Sequence, residues 1–385
     1  MSSNKIITAF LGIYNGEKYL ESLFDQISNQ VSTEYELLIV DNASIDYSYD
    51  ILKTWIQKLP NLNVRLIRNP KNLGAGGSLK LNLNLIDTPW FLTLHQDDFY
   101  KPNHISVLLD LINLAGDDVA GVASTMGSMS SDGKKIKPLP RSSWFASDLD
   151  KYGQFIQNVK SQSVPFPSTA FKTEIFKRTE VLNHNPSFSD TEQTLMMLCY
   201  GKFTISDTET MLYRENPKSE SHSLNLLERE MGAFIGLNRV FSSETFINFC
   251  KNLEKNEFNK FLETLTSAIT HRVSNLNNQK LLKIILIENI LNQTDYNNVE
   301  ILKLLSSQYA DFSSSQTLRN LGNFSIMEIK KENDSSNHKS NWKKRLWDKY
   351  FYSHIPIPDR AHRILTKSIY KLIFKIKPNH RWNNK

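Results

Sequence analysis

The feature that most constrains the fold is a regular alternation of apolar strand patterns and amphipathic helix patterns over the first 125 residues. Four apolar runs of strand length are separated by segments with helical periodicity. These runs are KIITAFLGIY, YELLIV, NVRLIR and WFLTL. Because the runs are unbroken rather than alternating, both faces of the sheet must be covered. The pattern therefore predicts an α/β fold with a mostly parallel, Rossmann-like sheet and helices on both faces.

Polar clusters follow each of the four predicted strands. In chain order they are GIYNGE, DNASID, NPKNLGAGGS and HQDDFY. In a parallel α/β sheet, ligands bind beyond the carboxyl ends of the strands. We therefore expect the four clusters to meet at one edge of the sheet and to form a ligand site there.

Two adjacent acids, Asp97 and Asp98, end the fourth strand. A simple turn explains such a pair, but like charges at ~4 Å cost roughly 4 kcal/mol at an effective dielectric of about 20. A hard divalent cation such as Mg²⁺ or Mn²⁺ removes that cost and leaves positions open for phosphate oxygens. The glycines in NLGAGGSLK suggest close approach of the backbone to a ligand, although neither the Walker A nor the dinucleotide-binding motif is matched.

Composition limits the class of protein. Charged residues make up 22% of the chain, and its two cysteines cannot form a disulfide framework, so we expect a reducing, cytoplasmic location. We find neither a signal peptide nor an apolar run long enough to span a membrane. The net charge of +6 resides in residues 341–385, which hold twelve lysines and arginines against two aspartates. The rest of the chain is mildly acidic, which argues against a nucleic-acid-binding protein.

The patterns predict four regions: a catalytic domain over 1–223, a helical domain over 224–311, a polar linker over 312–340 and a basic amphipathic tail over 341–385. A basic amphipathic helix with aromatic anchors is typical of binding to an anionic membrane surface, which predicts peripheral attachment to the inner face of the plasma membrane. Alternatively, the apolar face of the tail packs on the helical domain or on a second subunit.

Four segments in register carry a family resemblance. LGIYNGEKYL, YELLIVDNASID, NPKNLGAGGS and LTLHQDDFYKP resemble the nucleotide-binding half of family 2 glycosyltransferases with the GT-A fold. The glycine turn and the QDD segment are most similar to the branch of rhamnosyl- and galactofuranosyltransferases, as is the later FSDTEQTL. The resemblance covers about residues 5–215. It implies an inverting glycosyltransferase that moves a sugar from a UDP- or dTDP-sugar to a surface-glycan acceptor, which is a free or lipid-linked glycan.

The resemblance also implies roles for individual residues. Tyr14 and Asn15 would lie beside the uracil or thymine base of the donor nucleotide. Asp41 would accept a hydrogen bond from the imide N–H of that base. The implied nucleotide-binding residues are Gly12, Tyr14, Asn15, Asp41, Asn72, Gly74, Ser78, Lys80 and Gln96.

The implied metal ligands are Asp97 and His222, with Mg²⁺ or Mn²⁺ as the cofactor. His95 stands where family members usually carry the first acid of the motif. The implied sugar and acceptor residues are His95, Asp98, Glu192 and Arg214, and both Arg214 and His222 are candidates for contact with the diphosphate.

Asp190 resembles the general base that removes the proton of the acceptor hydroxyl. At the start of a predicted helix it has an alternative structural role as an N-cap. Two other functions stay open on the sequence: a nucleotidyltransferase, and a non-catalytic scaffold of a glycan assembly complex.

Overall fold

The computed structural model describes residues 5–134, 136–138, 149–183, 189–216, 236–237, 239–241 and 243–272. The chain divides into two compact units, Met1–Leu253 and Glu254–Lys385. The boundary expected near residue 223, the linker and the basic tail all fall outside the described residues, so these assignments stay predictions.

The described part of the first unit is built on a nine-stranded sheet with the order β3-β2-β1-β4-β8-β6-β9-β5, in which β7 pairs with β6. Strands β3, β2, β1 and β4 are parallel. Strand β8 is antiparallel to both β4 and β6, whereas β6 and β9 are parallel. The strands are β1 Ile7–Ile13, β2 Glu36–Asp41, β3 Asn63–Arg68, β4 Trp90–His95, β5 Phe99–Tyr100, β6 Val119–Met129, β7 Ile136–Pro138, β8 Thr169–Lys172 and β9 Lys202–Arg214.

Helices connect and cover these strands. The first unit contains α1 Glu17–Ser28, α2 Ser48–Ile56, α3 Gly74–Asn82, α4 His104–Leu114, α5 Lys151–Lys160, α6 Thr173–Arg178, α7 Ser189–Leu198 and α8 Glu244–Lys251. The described part of the second unit is α9 Lys255–Arg272. Among the helices of the described residues, none is both long and apolar enough to cross a bilayer.

Both faces of the sheet carry buried side chains. On one face, alternate residues of β1 such as Ala9 and Leu11 share a core with Leu23 of α1 and Leu108 of α4. On the other face, Phe91 of β4 is fully buried. Its ring meets that of Phe176 of α6 edge-on, 4.8 Å between centroids. Each fully buried Leu or Phe side chain contributes roughly 1.5–3 kcal/mol to folding.

This architecture confirms the predicted α/β fold with helices on both faces of the sheet. Six of the nine strands run in one direction, and β5, β7 and β8 run in the other. The sheet is therefore mixed, and its parallel half contains the four strands that the sequence predicts.

Candidate active site at the carboxyl edge of the sheet

Strands β1, β2, β3 and β4 are neighbours and parallel, so their carboxyl ends lie at the same edge of the sheet. We call this the carboxyl edge. The segments that leave it are residues 14–16, 42–47, 69–73 and 96–98. The four polar clusters therefore share one edge, as expected from the alternation of elements.

The loops after β1 and β4 are joined by the side chain of Gln96. Its Oε1 accepts a hydrogen bond from the Tyr14 N–H at 2.9 Å, and its Nε2 donates to the Tyr14 carbonyl at 3.1 Å. Gln96 thus holds the backbone of Tyr14, whose side chain is exposed. Gly12, inside β1, pairs across the sheet with His95.

Asn15 joins the loop after β1 to the loop after β2. Its N–H donates to Ser44 Oγ at 3.0 Å, and its Oδ1 accepts from the Ile45 N–H at 2.9 Å. Asn15 has a φ of 47°, in the left-handed region that asparagine tolerates better than most residues. The side chain of Asn15 is therefore hydrogen-bonded to the loop after β2, and its contact with the nucleotide base stays a prediction.

Asp41, the last residue of β2, is fully buried. Its Oδ2 forms an ion pair with Arg68 Nε at 3.1 Å, and the Ser44 N–H points at the same carboxylate. The Arg68 guanidinium also stacks on the Tyr49 ring, 4.4 Å from its centroid. In this conformation Asp41 anchors the loop after β2. The predicted contact with a base N–H would require the pair of Asp41 and Arg68 to open.

The glycine turn is more structured than the sequence predicts, because α3 begins at Gly74 itself. Asn72 and Gly74 are exposed, in keeping with a surface that binds a ligand. Ser78 is only 2% exposed and its Oγ accepts from Asn69 Nδ2, so Ser78 supports the turn from within and does not line that surface. Lys80 is exposed on α3.

The adjacent acids lie in different environments. Asp98 is buried, and its Oδ1 accepts from the Arg214 N–H at 2.9 Å while its Oδ2 contacts His95 Nδ1 at 3.2 Å. Asp97 is half-buried, and its carboxylate has no hydrogen-bond or ion-pair partner among the described residues. Only one carboxylate of the pair is therefore open to a ligand.

The charges of this edge act together on His95. Burial alone would lower the pKa of His95, but its hydrogen bond to Asp98 and the charges of Asp98, Asp190 and Asp97 outweigh burial and raise that pKa above its usual value. The influence of Asp190 is informative, because this residue lies on α7, far along the chain from β4. The fold brings Asp190 within electrostatic reach of His95, the last residue of β4.

Arg214, at the end of β9, supports the same acids. Its Nε donates to the Asp97 carbonyl, and its Nη1 donates to the Ser131 carbonyl at 3.1 Å. Within the described residues its guanidinium forms no ion pair, so its positive charge is not neutralised by a carboxylate. Arg214 is thus a structural support for Asp97, and contact with a diphosphate stays a prediction.

Helix α7 presents Asp190 and Glu192 differently. The helix begins at Ser189, so exposed Asp190 lies inside its first turn rather than before it, where an N-cap would be. Glu192 is 3% exposed and forms an ion pair with Arg239 Nη1 at 3.3 Å. The burial of Glu192 makes it a structural residue of α7 in this conformation, and the predicted contact with an acceptor is untested.

The residues fit a cation only in part. No group of three or more His, Cys, Asp and Glu side chains in the described ranges is arranged to hold a metal ion, and His222 lies outside those ranges. The open carboxylate of Asp97 fits a Mg²⁺ or Mn²⁺ ion that takes its other ligands from a phosphate group and water. It does not fit a cation held by the described protein residues alone.

Sequence reasoning missed several residues that shape this edge. Asn42 and Asn69, which directly follow β2 and β3, are buried and hydrogen-bonded across the loops. Arg68 and Arg239 pair with buried carboxylates. The only signal in the sequence was the position of Asn42 and Asn69 at strand ends.

Comparisons with known proteins indicate the class of protein to which this chain is similar. Residues 8–179 match the family model of glycosyl transferase family 2. A processive diacylglycerol beta-glycosyltransferase of Mycoplasma pneumoniae is 29% identical over 118 residues, which are 30% of this chain and 35% of the relative. An uncharacterised glycosyltransferase of Methanocaldococcus jannaschii is 21% identical over 64% of this chain and 83% of its own length.

Among solved structures, residues 1–349 of TarS from S. aureus in complex with UDP-GlcNAc superimpose with a TM-score of 0.47 at 16% identity. The superposition covers 74% of this chain and 89% of that one. The chain spans 35%, 33% and 15% of the lengths of three of the curated relatives that it matches. Residues 8–179, just under half of this chain, are therefore similar to glycosyl transferase family 2.

Proposed function

We propose that this chain is an inverting glycosyltransferase that moves a sugar from a UDP- or dTDP-sugar to a surface-glycan acceptor. The observation that carries the proposal is the open carboxylate of Asp97 at the carboxyl edge, among the loops that follow four parallel strands. The match of residues 8–179 to the model of glycosyl transferase family 2 supports the class of reaction.

The donor nucleotide would bind along the loops after β1, β2 and β3. Tyr14 offers an exposed aromatic ring for the base, and its backbone is held by Gln96. Asn72 and Gly74 offer polar groups on the exposed turn that begins α3. Binding of the base edge by Asp41 is coupled to release of Arg68 from that carboxylate.

Asp97 would hold the divalent cation together with the donor diphosphate. When bound, Mg²⁺ or Mn²⁺ offsets the negative charge of the departing nucleoside diphosphate. Arg214 adds positive charge at the same edge, since no carboxylate of the described residues neutralises it. His95 lies at this edge too, where its hydrogen bond to Asp98 and the nearby acids raise its pKa.

Asp190 acts as the general base in a single displacement. The acceptor hydroxyl oxygen forms a bond to the anomeric carbon while the bond from that carbon to the diphosphate oxygen breaks. The hydroxyl proton passes to the Asp190 carboxylate, and the nucleoside diphosphate leaves with the bonding electron pair. The exposed position of Asp190 in the first turn of α7 suits contact with an acceptor.

The acceptor is a glycan or a lipid-linked glycan on the inner face of the plasma membrane. One relative is named as a glycosyltransferase acting on diacylglycerol, which supports an acceptor with a lipid part. The basic tail would hold the enzyme at an anionic membrane surface.

The test is isothermal titration of UDP, dTDP, GDP and CDP, each with Mn²⁺ and with EDTA. We expect UDP or dTDP to bind in the presence of Mn²⁺, and we expect Asp97→Asn to abolish the metal-dependent part. Asp110→Asn is the matched control, because Asp110 is an exposed carboxylate on α4. Absence of binding for all four nucleotides would refute the donor site.

A further inference from the structure

Three asparagines and a serine form a buried, hydrogen-bonded chain beneath the glycine turn. Asn42, Asn69, Asn82 and Ser78 are each at most 4% exposed. Asn69 Nδ2 donates to Asn42 Oδ1 at 2.9 Å and to Ser78 Oγ at 3.0 Å. Asn82 Nδ2 donates to Asn69 Oδ1 at 3.0 Å and to the Ser78 carbonyl at 2.9 Å. We call these four residues the asparagine network.

The asparagine network ends on the backbone of the turn. Asn42 Oδ1 accepts from the Leu73 N–H at 3.1 Å, and Asn42 Nδ2 donates to the Gly74 carbonyl at 3.2 Å. Asn42 Nδ2 also donates to Asn72 Oδ1, which in turn accepts from the Gly74 N–H at 2.9 Å. Gly74 has a φ of +71°, a conformation that costs energy in most residues. One side chain thus determines where Asn72, Leu73 and Gly74 lie.

The network also couples two strand ends. Asn42 directly follows Asp41, and Asn69 directly follows Arg68. Asp41 and Arg68 form an ion pair. The Asn69 N–H donates to the Asp41 carbonyl at 2.8 Å. The ends of β2 and β3 and the start of α3 therefore form one hydrogen-bonded unit.

Only amide side chains satisfy this arrangement. Asn42 and Asn69 each use the amide nitrogen as a donor and the oxygen as an acceptor. An aspartate has the same shape but cannot donate a hydrogen bond. In place of the amide nitrogen it would put a carboxylate oxygen, which would repel the acceptor oxygen that faces it. Buried polar groups that lose their partner are costly, which makes the chemistry of this network specific.

We infer that Asn42, Asn69 and Asn82 are positioning residues for donor binding: they hold the exposed turn of Asn72 and Gly74 in the geometry that binds the nucleotide. This inference rests on the proposed function, since it assigns the donor to that turn. It goes beyond that function because these three residues, each at most 4% exposed, act through the turn rather than by touching the ligand.

The test compares Asn82→Asp with Asn84→Asp. Asn82 belongs to the network, whereas Asn84 is exposed two residues further along the chain. Leu109→Ala, at a buried position of α4, is a control for general loss of stability. For each protein we would measure hydrogen exchange of residues 72–77 without ligand and the Kd of UDP with Mn²⁺, well below the unfolding temperature.

We expect Asn82→Asp to speed exchange in the turn and to weaken UDP binding by about tenfold or more. Asn84→Asp and Leu109→Ala should keep the wild-type Kd. If Asn82→Asp does not fold, Asn82→Ala removes the two donated bonds without adding a charge, and the same expectations apply.

The outcomes separate the two proposals. An unchanged Kd in the Asn82 variants, with UDP bound by the wild type, would overturn the positioning role. A Kd that weakens equally in Leu109→Ala would overturn it as well, because general destabilisation would then explain the effect. Absence of UDP, dTDP, GDP and CDP binding in the wild type would instead refute the donor site on which the inference rests.

Discussion

Asp97 and Asp98 are neighbours in the sequence, yet their carboxylates differ in burial and in hydrogen bonding. Asp98 is buried and accepts contacts from the Arg214 N–H and the His95 ring. The carboxylate of Asp97 has no such partner among the described residues, and only its backbone carbonyl is used, by Arg214. The sequence motif does not distinguish the two acids, because the partner of Asp98 lies 116 positions away.

This difference predicts different effects of the same substitution. We expect Asp98→Asn to lower the free energy of unfolding by about 1–3 kcal/mol, because a buried amide loses the charge that strengthens both contacts. Asp97→Asn should change it by no more than about 0.5 kcal/mol, as for a surface substitution away from structural contacts. Urea unfolding at neutral pH measures both. Equal decreases in the free energy of unfolding of the two variants would show that both carboxylates, and not that of Asp98 alone, stabilise the fold.

At the scale of elements, the loops after β1 and β4 behave as one unit. The side chain of Gln96 bonds both backbone polar groups of Tyr14, and Gly16 leaves room for that side chain. A Cβ at Gly16 would lie 2.6 Å from Gln96 Oε1. The position of Tyr14 therefore depends on a glycine two residues away and on a loop 82 positions further along the chain.

Gly16→Ala tests this dependence. We expect it to displace Gln96, to weaken UDP binding in the presence of Mn²⁺ by about tenfold, and to cost about 1–3 kcal/mol of stability from the two hydrogen bonds that Gln96 loses. Gly153→Ala in α5 is the control, since its Cβ would first meet the side chain of Leu149 at 3.3 Å. That helical substitution should leave binding unchanged and add up to about 1 kcal/mol of stability. Wild-type UDP affinity in Gly16→Ala would argue against the coupling of the two loops.

The sequence predicts elements well where periodicity is strong. It predicts β3 over residues 63–68, where the strand is found. The two-residue β5 and the four-residue β8 are too short to leave a periodic signal. Helix α3 begins at Gly74 rather than at Ser78, because the buried asparagine network supports a turn whose glycines predict a loop.

The site is predictable as a place but not as a set of contacts. The alternation of elements predicts parallel strands, so the meeting of the four loops at the carboxyl edge could be expected. The burial of the individual acids could not be expected, because it depends on partners that are distant in the chain. Asp41 pairs with Arg68, and Glu192 pairs with Arg239, 47 positions away. Residue types alone cannot show which acids are open to a ligand.

At the scale of the whole molecule, the buried ring of His104 should make the stability of the fold sensitive to acid. His104, the first residue of α4, is fully buried. Its Nδ1 lies 2.7 Å from Thr210 Oγ1 of β9, and its ring lies 5.0 Å from that of Tyr100. Burial lowers the pKa of His104 to about 3, so the folded protein keeps this ring neutral across the physiological range.

The sign of the effect follows from the two pKa values. Above pH about 6.5 His104 is neutral in both the folded and the unfolded chain, and its contribution to stability is fully present. As the pH falls from about 6.5 towards 3, only the unfolded chain takes up the proton, so the free energy of unfolding decreases. At pH 5 the loss from this one group should be about 2 kcal/mol.

Urea unfolding at pH 7.5 and pH 5.0, on the wild type and on His104→Gln, measures this loss, because the contributions of the other titrating groups cancel in the comparison. The wild type should lose about 2 kcal/mol more than the variant over this range, and equal losses would mean that His104 takes up a proton in the folded state.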